Sequence, residues 1–100
     1  MIWWVQAVMA IGYCHDRNYL HRDIKADNIL IKENGMIKLA DFGTVKRFKD
    51  ELEQTSSLIG TPEYMCPEMI QNNSYKFSAD VWSLGVLLYY MCCLEYPFLP

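Results

Sequence analysis

The chain has little of what marks a secreted, membrane or nucleic-acid-binding protein. Its four cysteines, Cys14, Cys66, Cys92 and Cys93, include one adjacent pair but no C-x-x-C spacing, which argues against a zinc or redox framework. Unpaired thiols suit a reduced compartment, where they serve as small apolar fillers. The expected location is therefore intracellular and cytoplasmic, with the nucleus left open. No apolar run reaches the ~20 residues that cross a bilayer. Residues 1–14 (MIWWVQAVMAIGYC) also lack the basic start and small-residue cleavage site of a signal peptide, and residues 81–94 (VWSLGVLLYYMCCL) are equally short. Both read as buried helices of a soluble protein, and no membrane partner is expected. Nor is there a basic stripe: the net charge is −3, and Lys46-Arg47-Phe48-Lys49 is the only basic run, with a solvated loop as its default reading. That argues against a nucleic-acid partner. Repeats and low-complexity segments are also missing.

What is present supports a packed core. The composition is 52% hydrophobic, and 100 residues make one modest domain or a piece of a larger one. Set between apolar segments is a polar knot, His21-Arg22-Asp23-Ile24-Lys25-Ala26-Asp27-Asn28, in which six of eight residues are charged, amide or imidazole. Such a knot is costly near a core unless its groups pair with each other or with a ligand. It reads as a loop held against a scaffold, where catalytic groups usually sit. Asp23, Lys25 and Asn28 together could handle a proton, a phosphate and a metal ion.

The knot is preceded by residues 1–15, a helix apolar on most faces, in which Trp3, Trp4 and Met9 read as core and His15 as the helix end. It is followed by two β-type runs, Ile29-Leu30-Ile31-Lys32 and Met36-Ile37-Lys38-Leu39-Ala40, around Glu33-Asn34-Gly35. Asn-Gly between apolar runs is a strong hairpin signal, because both residues tolerate positive φ. Residues 44–62 are polar and without apolar periodicity, so a long surface loop is expected. Pro67-Glu68-Met69-Ile70-Gln71 predicts one short helical turn with proline first, broken by Asn72-Asn73-Ser74. Ser78 or Asp80 then caps a helix running to about Cys93.

The hairpin carries a geometric consequence. By returning the chain on itself it can set Asp41 beside Asn28, and an amide and a carboxylate oxygen close together suit Mg²⁺, which commonly shares protein ligands with phosphate oxygens. Asp23 then stands by as a base for a hydroxyl, and Lys25 as the neutralising cation. That assembly would perform phosphoryl transfer by positioning and electrostatics.

In motif, order and spacing the chain resembles the eukaryotic protein kinases. The resemblance rests on His21-Arg22-Asp23 with Lys25 and Asn28, Asp41-Phe42-Gly43, Pro67-Glu68, and Asp80-Val81-Trp82-Ser83-Leu84-Gly85, and it covers essentially the whole chain. It implies an α+β, mainly helical C-lobe fragment with a small hairpin, a long activation segment and a buried central helix. It further implies ATP and Mg²⁺ as cofactors and a protein serine or threonine as substrate. By resemblance Asp23 is the catalytic base, Asn28 and Asp41 are the metal ligands, and Lys25 contacts the γ-phosphate. Thr61 tethers Asp23 and Lys25, Leu30 is the floor under adenine, His21 and Phe42 are stacked, and Asp80 anchors the catalytic loop from below while also capping its helix. Lys25 and Thr61 favour the serine/threonine type.

Arg22 beside Asp23 implies control by phosphorylation, since an unpaired guanidinium needs an anion. Lys46 matches a second basic contact to that phosphate. Thr55, Ser56 and Ser57 are the candidate acceptors for an upstream activating kinase, with Ser57, four residues before Thr61, favoured. Some positions depart from the family pattern. Cys66 replaces the usual alanine before Pro67-Glu68, and Tyr90 replaces a glutamate that in some members binds a basic substrate residue. Glu63-Tyr64 is similar to the cyclic-nucleotide-dependent kinases, whereas Ile24, Ile29 and the final helix resemble the never-in-mitosis-related or kinase-kinase-kinase groups. Residues 1–100 contain no Gly-rich loop, no strand lysine with its partnering glutamate, and no arginine for Glu68. The expectation is a partial kinase domain, without the small N-terminal lobe or the final C-lobe helices and inactive in isolation. The alternative is a non-catalytic remnant that serves as a protein-binding module.

Overall fold

A computed structural model describes residues 2–98. The first apolar run forms helix α1, Ile2–Asp16, and the second forms α3, Ser78–Cys93. Between them lie four short strands: β1 (Tyr19–Leu20), β2 (Ile29–Ile31), β3 (Ile37–Leu39) and β4 (Lys46–Arg47). A single helical turn, α2, spans Pro67–Ile70 with proline at its start, as its sequence predicts. It ends where Asn72 takes a left-handed φ of 60° and Asn73 N–H returns to Glu68 O at 2.8 Å. That closure satisfies carbonyls the helix end would leave orphaned.

The hairpin forms in the predicted place, with β2 and β3 antiparallel and Ile29 opposite Leu39. Of the two turn residues, only Gly35 uses positive φ (83°); the Asn34 side chain instead accepts Met36 N–H at 3.0 Å. Gln6 of α1 pins the hairpin, its Oε1 accepting from Ile37 N at 2.8 Å and its Nε2 donating to Gly35 O at 3.2 Å. Below the hairpin, Ala7 and Ile11 of α1 meet Ile24, Tyr64 and the α3 residues Leu84, Val86 and Leu87 in one core cluster. A second cluster joins Leu20, Phe48, Cys66, Met69, Tyr75 and Ala79. Side chains of this size are worth about 1.5–3 kcal/mol each when fully buried.

Several expectations need correction. Trp3 is 42% exposed and Met9 70%, so neither is core; α1 buries only Ala7 and Ile11 among the described residues. Trp4 is half-buried and donates its indole N–H to Leu84 O at 2.8 Å. Residues 44–62 are not wholly a surface loop. Lys46 and Arg47 pair with Leu20 and Tyr19 as β4, and Phe48 is buried. Cys66 is a core filler, but Cys92 and Cys93 are exposed near the end of α3. Neither Ser78 nor Asp80 caps α3: Phe77 holds the cap position without a side-chain bond, and Asp80 lies in the first turn with its oxygens committed elsewhere. No helix among the described residues is long and apolar enough to cross a membrane.

Candidate active site

The polar knot runs from β1 to the hairpin and is held from three sides. From below, the fully buried Asp80 accepts His21 N–H on Oδ2 at 2.8 Å and Arg22 N–H on Oδ1 at 2.9 Å. His15, in the last turn of α1, meets the same Oδ2 through Nε2 at 2.8 Å. From the side, Thr44 Oγ1 donates to His21 O at 2.8 Å, and Arg22 Nε donates to Thr44 O at 2.6 Å. These bonds hold Arg22 at a φ of 75°, a region that side-chain-bearing residues enter only when their surroundings over-determine it. The His21 and Phe42 rings are in contact as expected, but edge-on at 5.2 Å and not stacked.

The third support comes from residues 60–66. Thr61 Oγ1 donates to Asp23 Oδ1 at 2.8 Å, and Lys25 Nζ lies 3.7 Å from the other oxygen, Oδ2. Asp23 is only 9% exposed, so both partners act on a carboxylate largely removed from water. Tyr64 backs the loop, accepting Ala26 N–H on its hydroxyl at 3.3 Å, while Ser83 Oγ of α3 donates to Tyr64 O at 2.8 Å. Burial pushes the Tyr64 hydroxyl well above its ordinary range, so it stays protonated. Gly60, at φ 125°, passes so close to the knot that a Cβ there would sit 2.6 Å from Arg22 O.

On the hairpin side, Asn28 is buried and its Nδ2 donates to Asp23 O at 2.8 Å, leaving the side-chain oxygen available to another partner. Asn28 O accepts Ala40 N–H at 2.8 Å, which closes the hairpin base and sets Asp41 one residue from that contact. Asp41 is exposed, left-handed at φ 57°, and uses Oδ1 to accept Gly43 N–H at 3.3 Å. The Asn28 amide and the exposed Asp41 carboxylate lie at the same end of the hairpin and are hard-oxygen donors of the kind Mg²⁺ takes. Leu30 lies on β2 and is 52% exposed.

Of the regulatory candidates, Arg22 makes no ion pair among the described residues. Lys46 is neither free nor fully solvated: its Nζ lies 3.3 Å from Glu53 Oε2. Thr55 bridges Tyr75 in antiparallel fashion, and Ser56 and Ser57 are exposed. Sequence reasoning missed His15 as a partner of Asp80, along with Thr44, Gly60 and Glu53. Only Gly60, a glycine next to a critical threonine, carries a local signal.

The fold and the arrangement of these residues accord with a protein kinase domain, and the comparisons agree. The protein kinase domain family matches residues 2–100, and the chain belongs to that family. It is 46% identical over 99 residues to Serine/threonine-protein kinase Nek5 of Mus musculus, covering 98% of this chain and 16% of that protein. The human Nek5 is 46% identical over 97 residues, covering 96% and 14%. Serine/threonine-protein kinase Nek11 of Mus musculus is 41% identical over 96 residues, covering 96% and 15%. The chain thus spans about a sixth or less of the length of these three relatives. Each of these relatives is named a serine/threonine-protein kinase.

Proposed function

We propose that this chain supplies the catalytic loop and metal ligands of a serine/threonine protein kinase that transfers the γ-phosphoryl group of ATP to protein hydroxyls. In this reading it works within the complete protein and is inactive alone. The observation that carries the reading is the Asp23 carboxylate, buried and aimed by Thr61 on one oxygen while the other faces Lys25. The oxygen not engaged by Thr61 is the acceptor for the substrate hydroxyl proton as that hydroxyl bonds to the γ-phosphorus and the bond to the departing ADP breaks. Lys25 offsets negative charge on the transferring group. Asn28 and Asp41 would hold Mg²⁺, which when bound neutralises charge on the phosphate oxygens. Leu30 would line the adenine site, and residues 44–62 would form the activation segment, with Ser57 its favoured acceptor.

The test is Mg-ATP-dependent transfer to serine and threonine peptides by the complete protein and its Asp23→Asn variant. Loss of a general base costs about 10²–10⁴-fold in turnover. If the wild type shows no transfer, or Asp23→Asn keeps full turnover, the kinase reading fails. A folded wild type that binds partners but transfers nothing would establish the non-catalytic alternative, to which the exposed Ile2, Val5 and Met9 of α1 lend some support.

A further inference from the structure

The residues after β4 form a closed turn built around one carboxylate. Asp50 Oδ1 accepts the amides of Leu52 (2.9 Å) and Glu53 (3.0 Å), folding the chain back so that Glu53 faces β4. Glu53 then divides its oxygens: Oε1 accepts Lys49 N–H at 2.6 Å and Oε2 lies 3.3 Å from Lys46 Nζ. The backbone donor from Lys49, followed by the ammonium of Lys46, holds the Glu53 carboxyl below its usual range. On the outer side, Lys76 Nζ donates to Asp50 O at 3.1 Å and Glu51 O at 2.9 Å while lying 4.8 Å from the Phe48 ring. The turn is therefore fastened to β4 on one side and to the 75–77 segment on the other.

The anchor point is consequential. Lys46 pairs with Leu20, the residue immediately before His21, so the β1–β4 ribbon leads from Glu53 to the catalytic loop. Ser57 lies four residues beyond Glu53; its carbonyl accepts the Tyr75 hydroxyl and its Oγ lies 3.4 Å from Thr55 Oγ1. The Thr61–Asp23 bond is formed with this carboxylate in place at Lys46.

We infer that Glu53 is a built-in counter-ion for Lys46, holding the 46–57 segment in working order before modification, and that a phosphate on the segment acts by replacing it. Activation is then an exchange of one anion for another at Lys46, and the unmodified enzyme keeps a basal activity. The inference rests on the kinase reading given above, because it assigns Lys46 and Ser57 their roles. A carboxylate with both a cation and a backbone donor exceeds a bare surface pair, yet both side chains are partly exposed, so its effect is modest and salt-sensitive.

The experiment uses the complete protein. In a Ser57→Ala background, Glu53→Gln should lower basal transfer about two- to fivefold, with the loss shrinking at high salt. In Ser57-phosphorylated protein the same substitution should change turnover by less than about twofold, because the phosphate has taken over Lys46. Equal losses in both forms, or a basal rate unchanged or raised by Glu53→Gln, overturn the inference. A second readout needs no catalysis: amide exchange across residues 46–57 should quicken in Glu53→Gln and not in the nearby control Glu51→Gln. If transfer is absent altogether, the kinase reading fails on its own, and the exchange data still decide whether Glu53 holds the segment. Unchanged exchange overturns the inference.

Discussion

Asp80→Asn is the sharpest test of how the polar loop at residues 21–28 is held. The substitution preserves shape and volume while replacing one carboxylate oxygen with a donor. In the native chain Oδ1 serves Arg22 N–H and Oδ2 serves His21 N–H and His15, all at 2.8–2.9 Å around a group with no solvent exposure. An asparagine can place its oxygen at only one of the two positions. In either orientation its NH₂ confronts a backbone N–H, a buried donor loses its acceptor, and two donors face each other. His15 can adapt by exchanging tautomers, but the two backbone amides cannot. Hydrogen bonds to charged groups are worth about 1.5–3 kcal/mol each, and breaking a buried charged network costs about 3–5 kcal/mol. At about 1.4 kcal/mol per decade, the loop's opening constant should rise by roughly two to three and a half decades. Amide hydrogen exchange at His21 and Arg22 in the complete protein reads that quantity directly. Protection factors within about threefold of wild type at both amides, with an unchanged melting temperature, would refute the claim that Asp80 anchors the loop.

Four further outcomes follow from the same geometry. Thr61→Val removes the 2.8 Å bond to Asp23 Oδ1 and should lower kcat of the complete enzyme about tenfold or more, with Thr61→Ser close to wild type; an equal loss in Ser would place the effect in packing. Gly60→Ala sets a Cβ 2.6 Å from Arg22 O at a φ of 125° and should cost about 2 kcal/mol or more, visible as a lowered melting temperature. Burial raises the Cys66 thiol, so maleimide should modify the exposed Cys92 and Cys93 first and reach Cys66 only on unfolding. With its folded pKa raised, Cys66 contributes its full stability below the ordinary thiol pKa and loses it as pH rises through the folded value, so stability should fall in the alkaline range; a Cys66→Ala variant with the same alkaline slope would show that other groups cause it.

The legible features were local. Asn34-Gly35 between alternating apolar residues announces a hairpin, and from the hairpin alone Asp41 can be returned toward Asn28, which the Ala40–Asn28 bond now secures. Pro67 and the Asn72-Asn73 pair mark the two ends of α2 for equally local reasons. What sequence reasoning could not supply are contacts made across long separations. Asp80 near a helix start looks like a cap, because nothing nearby shows that backbone amides 58 and 59 residues away will claim both oxygens. Phe48 looks like an isolated apolar residue in a polar stretch until β4 pairs with β1 and carries it into the second core cluster. Lys46 reads as solvated or phosphate-bound because the turn that presents Glu53 depends on Asp50 closing it. The polar knot is affordable for the same reason that it was hard to read. His21 and Arg22 give their amides to Asp80, Asp23 takes its donor from Thr61, and Asn28 takes its closure from Ala40. Closing loops of that length costs entropy that grows only slowly with separation, so distant partners stabilise the knot nearly as well as near ones could. They also make its geometry conditional on the whole fold: displacing residues 60–66 from α3 would release Thr61 from Asp23 and leave the carboxylate free to turn.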